Sequence, residues 1–372
     1  MRIAFVVHDY TRTLGHSRYV VELAERFARD HDVHVFANRF ERLPSGITGH
    51  RVPALRRSAL LSIFSFPIPA TLMVGRGFDI VHAQGFTVGG ADVVTAHICN
   101  ARWLEARRLL EGGRVSWKER LFGALVIPAE RRALRARGAT VIAISGALRE
   151  DLKRLYGVSS PIAVVPHGVD ARQFNVGVRD RFREAMRKEL ALGPGEVAFL
   201  YVGDLRKGFA QAIRAVAMVG GARLIGVSRS DPREALRLAA AAGIAARVSV
   251  RPATSEIERC YAAADALVLP TPYDAFGMVI TEAMACGLPV ITTPMAGASE
   301  LLSPGVEGIL VDSAGDVDGL AAAMQTLAGD ALLRERMGAA AAALMTAHTW
   351  DRVADRTMAV YREHLQARQR AR

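Results

Sequence analysis

The chain has 372 residues, more than one hydrophobic core usually organises, so two domains are expected. Hydrophobic residues make up 51% and charged residues 23%, which excludes a disordered chain, and no helix-turn-helix or basic-aromatic RNA motif points to nucleic acid as a partner. The net charge of +11 is uneven: residues 1–160 hold 24 Lys/Arg against 14 Asp/Glu, and the remainder 24 against 23. Cys99, Cys260 and Cys286 lie far apart without CxxC spacing, which fits a reducing compartment and offers neither a disulfide framework nor a zinc site.

The opening "MRIAFVVHDY" has five apolar positions before His8 and Asp9, short of a signal-peptide core, and reads as a buried strand at 3–7. Val20, Leu23, Ala24 and Phe27 follow helical spacing, and further strands are predicted at 33–37, 79–83, 92–97, 140–145 and 162–168. The apolar run "ALLSIFSFPIPATLMVG" at 59–75 is shorter than the roughly 20 residues that span a bilayer, and Pro67 and Pro69 break it. It reads as a buried helix or loop, with a lipid-facing or acceptor-facing segment as the alternative. Across 101–138, Arg, Trp, Leu and Phe recur at helical spacing. This fits either a solvated arginine face or contact with an acidic acceptor or an anionic membrane, where each basic side chain adds about 1 kcal/mol.

The polar stretch 170–196 reads as a linker and lead-in to a second domain, after which strands resume at 197–203, 222–227, 247–250, 266–270, 289–293 and 308–312. Strand alternating with helix throughout predicts an α/β protein of two doubly wound, Rossmann-like domains, 1–170 and 171–349.

In such folds ligands bind beyond the carboxyl ends of the strands. No GxGxxG follows a strand, which argues against a nicotinamide or flavin enzyme. Gly15, in "HDYTRTLGHS" (8–17), precedes an amphipathic helix and would let amides approach an anion, although a plain tight turn fits equally. In "VGDLRKGFAQAIRA" (202–215), Arg206 and Lys207 sit between a strand and the helix opened by Gly208, where point charge and helix dipole together suit a diphosphate. In "YDAFGMVITEAMACGLPVITTP" (273–294), Asp274 lies in a loop and the pair Phe276-Gly277 turns the chain. Met278 to Cys286 then forms a helix ended by Gly287 and Pro289, with Glu282 on its second turn. Carboxylates accept paired hydrogen bonds from vicinal hydroxyls, so one acid suits a ribose and the other a hexose. A purely structural Glu282 would instead need a cationic partner, because an unpaired buried carboxylate is costly. The "DVD" at 316–318 follows the last strand and reads as helix N-cap chemistry rather than a metal motif.

Together these residues resemble the retaining GT-B glycosyltransferases of family 4, over nearly the whole chain. The resemblance is strongest across 266–301, which is similar to that family's E-x7-E segment. It extends to "VVTAH" ending in His97, "VIAIS" ending in Ser145, "VVPHGVD" (164–170), "YVGDLRKG" (201–208) and "HTWDRVADRTMAVYREHL" (348–365). It implies that Glu282 binds the nucleotide ribose, Asp274 holds donor-sugar hydroxyls, and Arg206 and Lys207 neutralise the diphosphate. It further implies that amides around Phe276, Gly277 and Met278 touch phosphate or sugar, that Gly15 lines the same cleft, and that His97 lies near the transferred sugar and the acceptor. The first domain would hold the acceptor, with the final helix, 350–372, packing back on it, and the second would hold the donor across a cleft. Two residues depart from the family pattern. Asp274 stands where a glutamate is usual, and Asp204 replaces a common arginine, giving the RK-G variant of lipopolysaccharide-core sugar transferases.

The implied activity is metal-independent, cofactor-free hexosyl transfer with retention, from a UDP- or GDP-sugar to a glycan or lipid-linked acceptor, in cell-envelope polysaccharide or lipopolysaccharide synthesis. The +10 excess of the first domain favours an anionic acceptor, and a cytoplasmic location with peripheral contact at the inner membrane face. The alternatives are a non-catalytic partner or scaffold at the membrane and a sugar-nucleotide epimerase or hydrolase.

Overall fold

The computed structural model describes residues 1–13, 15–110 and 116–370, so Leu14 of the first loop, the middle of the 101–138 stretch and residues 371–372 lie outside it. The chain divides into two units, Met1–His167 with Trp350–Arg372, and Gly168–Thr349.

The first unit is built on a seven-stranded parallel sheet. From edge to edge it runs Ile47–Arg51, Asp32–Ala37, Arg2–Val6, Ile80–Gln84, Val93–Ala96, Thr140–Ala143 and Ile162–Val164. Ile3, Phe5 and Val6 are fully buried, as expected for a central parallel strand covered on both faces. The edge strand Ile47–Arg51 was not foreseen from the sequence, because only Ile47 of its five residues is buried and no alternation marks it.

The terminal helix Trp350–Arg370 belongs to this unit. Trp350 is buried edge-on to the rings of Tyr19 and His167, and the Arg26 guanidinium donates to Asp351 at 2.8 Å. Arg26 also meets the buried carboxylate of Glu22 at 2.6 Å, which Arg12 approaches from its other side at 2.7 Å. Within the 101–138 stretch lie the helices Asn100–Leu110 and Trp117–Leu134, the latter begun by a capping box of Ser116 and Glu119.

The run 59–75 is not the buried element favoured by its composition. It forms two short helices, Ala59–Ser65 and Pro67–Val74, and the first has no buried residue. Only Phe66, Ala70 and Val74 are buried, so one narrow edge anchors the pair and the remaining apolar side chains are left outside.

The second unit carries a six-stranded parallel sheet in the order Val248–Pro252, Arg223–Ser228, Ala198–Val202, Ala266–Leu269, Val290–Thr292 and Gly308–Leu310. Each of the six predicted segments overlaps one of these strands, and the strands Arg223–Ser228 and Val248–Pro252 run one and two residues past their predicted ends. The stretch 170–196 is not a linker: it contains the helix Gly177–Glu189. Arg183 donates to the carbonyls of Ala262, Ala263 and Ala264 and to Asp265, and Arg187 to Ala263 and Asp265. Its charge density therefore serves packing, with arginines satisfying the open carbonyl end of the helix Ile257–Ala263. Among the described residues no helix is long and apolar enough to cross a membrane.

In the first unit His82 is fully buried between Tyr361 Oη and Thr95 Oγ1, each 2.6 Å from a ring nitrogen, and burial depresses its pKa from 6.5 to about 3. A depressed histidine gives stability that is present above pH 6.5 and lost as pH falls toward the folded-state value. Unfolding of this unit, which contains all three tryptophans and can be followed by their fluorescence, is expected to lose about 2 kcal/mol from His82 between pH 7.5 and pH 5. His82→Gln should flatten that pH dependence; an unchanged slope would show that the histidine titrates normally.

Candidate active site

The strand order of the second sheet reverses between Ala198–Val202 and its neighbour Ala266–Leu269, and the loops that follow these two strands meet. After the first strand the chain makes a single turn of 3-10 helix, Leu205–Lys207, capped by Asp204, whose carboxylate accepts the Arg206 backbone N–H at 3.0 Å. Gly208 then takes a left-handed φ of 107° and starts the helix Phe209–Ala217. A Cβ at Gly208 would fall 2.1 Å from the carbonyl oxygen of Pro270, so only glycine lets the two loops pass this closely.

That approach sets Lys207 Nζ 2.7 Å from Asp274 Oδ2. Burial works against the Lys207 ammonium, but the charge and hydrogen bond of Asp274, with Asp204 behind them, hold its pKa above the ordinary value. Asp274 is fixed at its backbone: its N–H donates to Met295 O at 3.0 Å and its carbonyl accepts from Gly297 at 2.9 Å. Its other carboxylate oxygen accepts from the Phe276 N–H at 3.3 Å, forming a local turn. Gly277, left-handed at φ 88°, caps the helix Met278–Ala285. The backbone N–H groups of Gly277 and Met278 have no partner among the described residues, so two donors remain at a helix N-terminus beside Lys207 and Asp274.

Arg206 is placed differently. Its guanidinium lies on Asp204 at 2.6 Å, with the side chain mostly exposed. Partial burial opposes ionisation of Asp204, but its hydrogen bonds to Arg206 outweigh this and hold its carboxyl below the usual range. Ser230 Oγ adds a donor at 3.2 Å, and Tyr201 Oη donates to the Asp204 carbonyl at 2.7 Å.

Glu282 is buried and accepts a hydrogen bond from Tyr261 Oη at 3.0 Å. Burial, reinforced by the Glu282 charge, pushes the Tyr261 phenol well above its ordinary pKa, so it stays a donor. The Tyr261 phenol is thus one of the partners that the buried Glu282 carboxylate has. Tyr261, 21 residues upstream, and Ser230 were both missed in the sequence reading, because nothing local to either signals the contact.

The second unit therefore brings together Arg206, Lys207, Asp274, Phe276, Gly277, Met278 and Glu282, while Gly15 and His97 belong to the first. Gly15 is the exposed first residue of the helix Gly15–Phe27. His97 follows Val93–Ala96, and its Nε2 meets Gln84 Oε1 at 2.7 Å. Its ring stacks on His167 at 5.5 Å between centroids and meets Tyr19 edge-on. Burial first, and then the neighbouring His167, His16 and His82, push its pKa well below the ordinary value. With the proton assigned to Nε2 facing the Gln84 oxygen, Nδ1 is an acceptor without a partner among the described residues. No group of three or more His, Cys, Asp or Glu able to hold a metal ion occurs among the described residues. Asp316, of the 316–318 motif, caps the helix Val317–Gly329 by accepting the Gly319 N–H at 2.9 Å.

Two family profiles match the sequence: Glycosyltransferase Family 4 over residues 14–173 and Glycosyl transferases group 1 over residues 196–330. The D-inositol 3-phosphate glycosyltransferase of Mycobacterium marinum is 35% identical over 218 residues, 54% of this chain but only 45% of that protein. The enzyme of the same name from Thermobifida fusca is 28% identical over 402 residues, covering 94% of this chain and 89% of the relative. Among solved structures, WaaG, a glycosyltransferase involved in lipopolysaccharide biosynthesis, superposes with a TM-score of 0.79 at 21% identity, covering 95% of this chain and 98% of that one. HepE of Anabaena, solved with UDP and glucose, gives 0.73 at 16% identity over 98% of this chain and 100% of the other. These likenesses establish the GT-B fold.

Gly208→Ala combines the Pro270 collision with a disfavoured φ and should destabilise the second unit by more than about 2 kcal/mol in urea unfolding followed by circular dichroism. Gly221→Ala, at φ 70° in open space, should cost only about 1 kcal/mol. Equal costs for the two would mean that the close approach at Pro270 is not a constraint.

Proposed function

We propose that this chain, which belongs to the group 1, family 4 glycosyltransferases, transfers a sugar to an acceptor from a nucleoside-diphosphate hexose held by the second unit. The observation that carries this reading is the convergence of Lys207, Asp274 and two free amides at one helix N-terminus, with the buried carboxylate of Glu282 on the next turn. In this reading Glu282 accepts the ribose hydroxyls and Asp274 the hydroxyls of the hexose. The diphosphate takes Lys207, Arg206 and the amides of Gly277 and Met278, whose charge and dipoles serve the leaving group where other transferases use a metal ion. The binding of UDP and glucose by HepE makes a UDP-hexose the first donor to try.

The reaction proposed is transfer with retention. The acceptor oxygen bonds to the anomeric carbon on the face from which the diphosphate leaves. The C–O bond electrons go to the leaving phosphate oxygen, and the acceptor's proton follows them there. His97, neutral and with Nδ1 lacking a partner among the described residues, is proposed to accept a hydrogen bond from a hydroxyl of the acceptor held by the first unit. The first unit carries the positive excess, and its proposed acceptor is a phosphorylated or otherwise anionic glycan or lipid-linked sugar, in keeping with the phosphorylated inositol named for the relatives. Work on the cytoplasmic face of a membrane, in cell-envelope synthesis, follows from such an acceptor.

The test is thermal stability with a panel of nucleoside diphosphates and sugar nucleotides, each with and without EDTA. At a hundred times its Kd the cognate ligand should add about 2.7 kcal/mol to the wild type, with EDTA making no difference, and nothing to Glu282→Gln. Stabilisation that survives in Glu282→Gln would remove the ribose role, and none with any nucleotide would overturn the donor site. Asp204→Asn, which removes the ion pair between Asp204 and Arg206, should tighten nucleoside-diphosphate binding by about threefold to fivefold, because an exposed ion pair holds its partner only weakly. Weaker binding would show that Asp204 itself contacts the ligand. NMR of the product should show the donor's anomeric configuration kept.

A further inference from the structure

Of the sixteen large hydrophobic side chains exposed among the described residues, six fall within the nineteen residues 55–73 of the first unit: Leu55, Leu61, Phe64, Ile68, Leu72 and Met73. Ile68 and Leu72 are 70% and 78% exposed. The helices Ala59–Ser65 and Pro67–Val74 are joined at Phe66, which keeps right-handed helical angles (φ −74°, ψ −42°), and Pro67 sits at the first position of its helix, where its missing N–H costs nothing. Leu61, Phe64, Ile68 and Leu72 are therefore spaced as a helical stripe that turns outward, whereas Phe66, Ala70 and Val74 turn inward.

The charge within this segment has one sign, although Arg56 is paired with Asp9 from outside it at 2.7 Å. Residues 42–78 contain Arg42, Arg51, Arg56, Arg57 and Arg76, all exposed, and no Asp or Glu. An apolar stripe in a segment that carries exposed arginines and no acid of its own matches the interface of an anionic bilayer, where apolar side chains enter the acyl boundary and guanidinium groups meet lipid phosphates.

The helix pair is also stitched to the ligand end of its own sheet. Phe66 packs on His8, which follows the strand Arg2–Val6, with ring centroids 4.5 Å apart. Phe64 lies 6.0 Å from Phe86, and Thr71 Oγ1 accepts the Gly89 N–H at 2.8 Å; both partners are in the loop after Ile80–Gln84. Arg2–Val6 and Ile80–Gln84 are the neighbouring strands between which this sheet reverses its order, where ligands of doubly wound folds bind.

We propose that the helix pair 59–74 docks this protein on an anionic membrane and so presents the loops after the first and fourth strands of that sheet to a lipid-borne acceptor. The proposal rests on the reading of the first unit as the acceptor-binding one and narrows the acceptor to a lipid-linked class.

The experiment is co-sedimentation of the full chain with vesicles of phosphatidylcholine, with and without phosphatidylglycerol, alongside thermal stabilisation by UDP on the same preparations. The wild type is expected to pellet with the anionic vesicles and to be released as salt rises through physiological strength. Ile68→Ser/Leu72→Ser removes two exposed side chains that the fold does not use, and should lower the partition coefficient by at least about tenfold. Leu332→Ser, a 76% exposed leucine in the second unit, should pellet as the wild type does. Arg57→Glu/Arg76→Glu should lose binding to phosphatidylglycerol vesicles only. A wild type that stays in solution, or an Ile68→Ser/Leu72→Ser variant that still pellets, would overturn the proposal. So would self-association that the double variant abolishes, which would give the stripe to a second copy of the chain. UDP stabilisation should be the same in all these variants. Its loss from every protein, with vesicle binding intact, would remove UDP as the donor nucleotide while leaving the docking surface standing.

Discussion

The ion pair between Lys207 and Asp274 decides the shape of the second unit's ligand end. The two residues come from loops after neighbouring parallel strands, and they meet at 2.7 Å only because Gly208 carries no side chain against Pro270. Asp274 cannot swing away freely, since its backbone is bonded to Met295 and Gly297 and its second oxygen to the Phe276 amide. A ligand phosphate would have to draw Lys207 from Asp274, and ligand hydroxyls would have to satisfy the carboxylate so released. Phosphate and sugar hydroxyls are then recognised as one exchange of partners, which a phosphate or a sugar alone could complete only in part. This is a physical reason for a site selective for the conjugate of the two.

The departures from the family pattern also make sense together. Asp274 is a methylene shorter than glutamate, yet its loop is held close enough for it to reach Lys207 directly. Asp204 keeps Arg206 folded back over its own turn, at an exposed position where the pair is worth little. The two cations are thus held differently, Lys207 partly buried on Asp274 and Arg206 on Asp204 at an exposed position.

What could be read from the sequence followed from how local each signal is. The strands of the second sheet announce themselves as short apolar runs, and the segment from Asp274 to Gly287 carries its turn, cap and stop within fifteen residues. Contacts between distant residues left no trace: Tyr261 donating to Glu282, Ser230 to Asp204, or Pro270 standing over Gly208. The helix Gly177–Glu189 was misread as a linker because its charges were counted as solvated, when two of its arginines end on another helix's carbonyls. The run 59–75 erred in the opposite sense, since apolar composition was equated with burial.

These two misreadings mark a difference in how the halves of the molecule use arginine. In the second unit Arg183, Arg187, Arg247 and Arg334 donate to main-chain carbonyls and so act as internal staples. In the first, Glu22 gathers Arg12 and Arg26, and Asp9 takes Arg56, but the segment 42–78 has no acids of its own to balance the rest. A folded chain gains nothing in stability from exposed, unmatched like charges beside exposed leucines, since both raise its free energy in water. Features that cost stability and cluster at the ligand end of a sheet are explained by something the sheet must meet there. For a stripe of leucine, isoleucine and phenylalanine within a rim of arginine, a surface of anionic lipid relieves both costs at once.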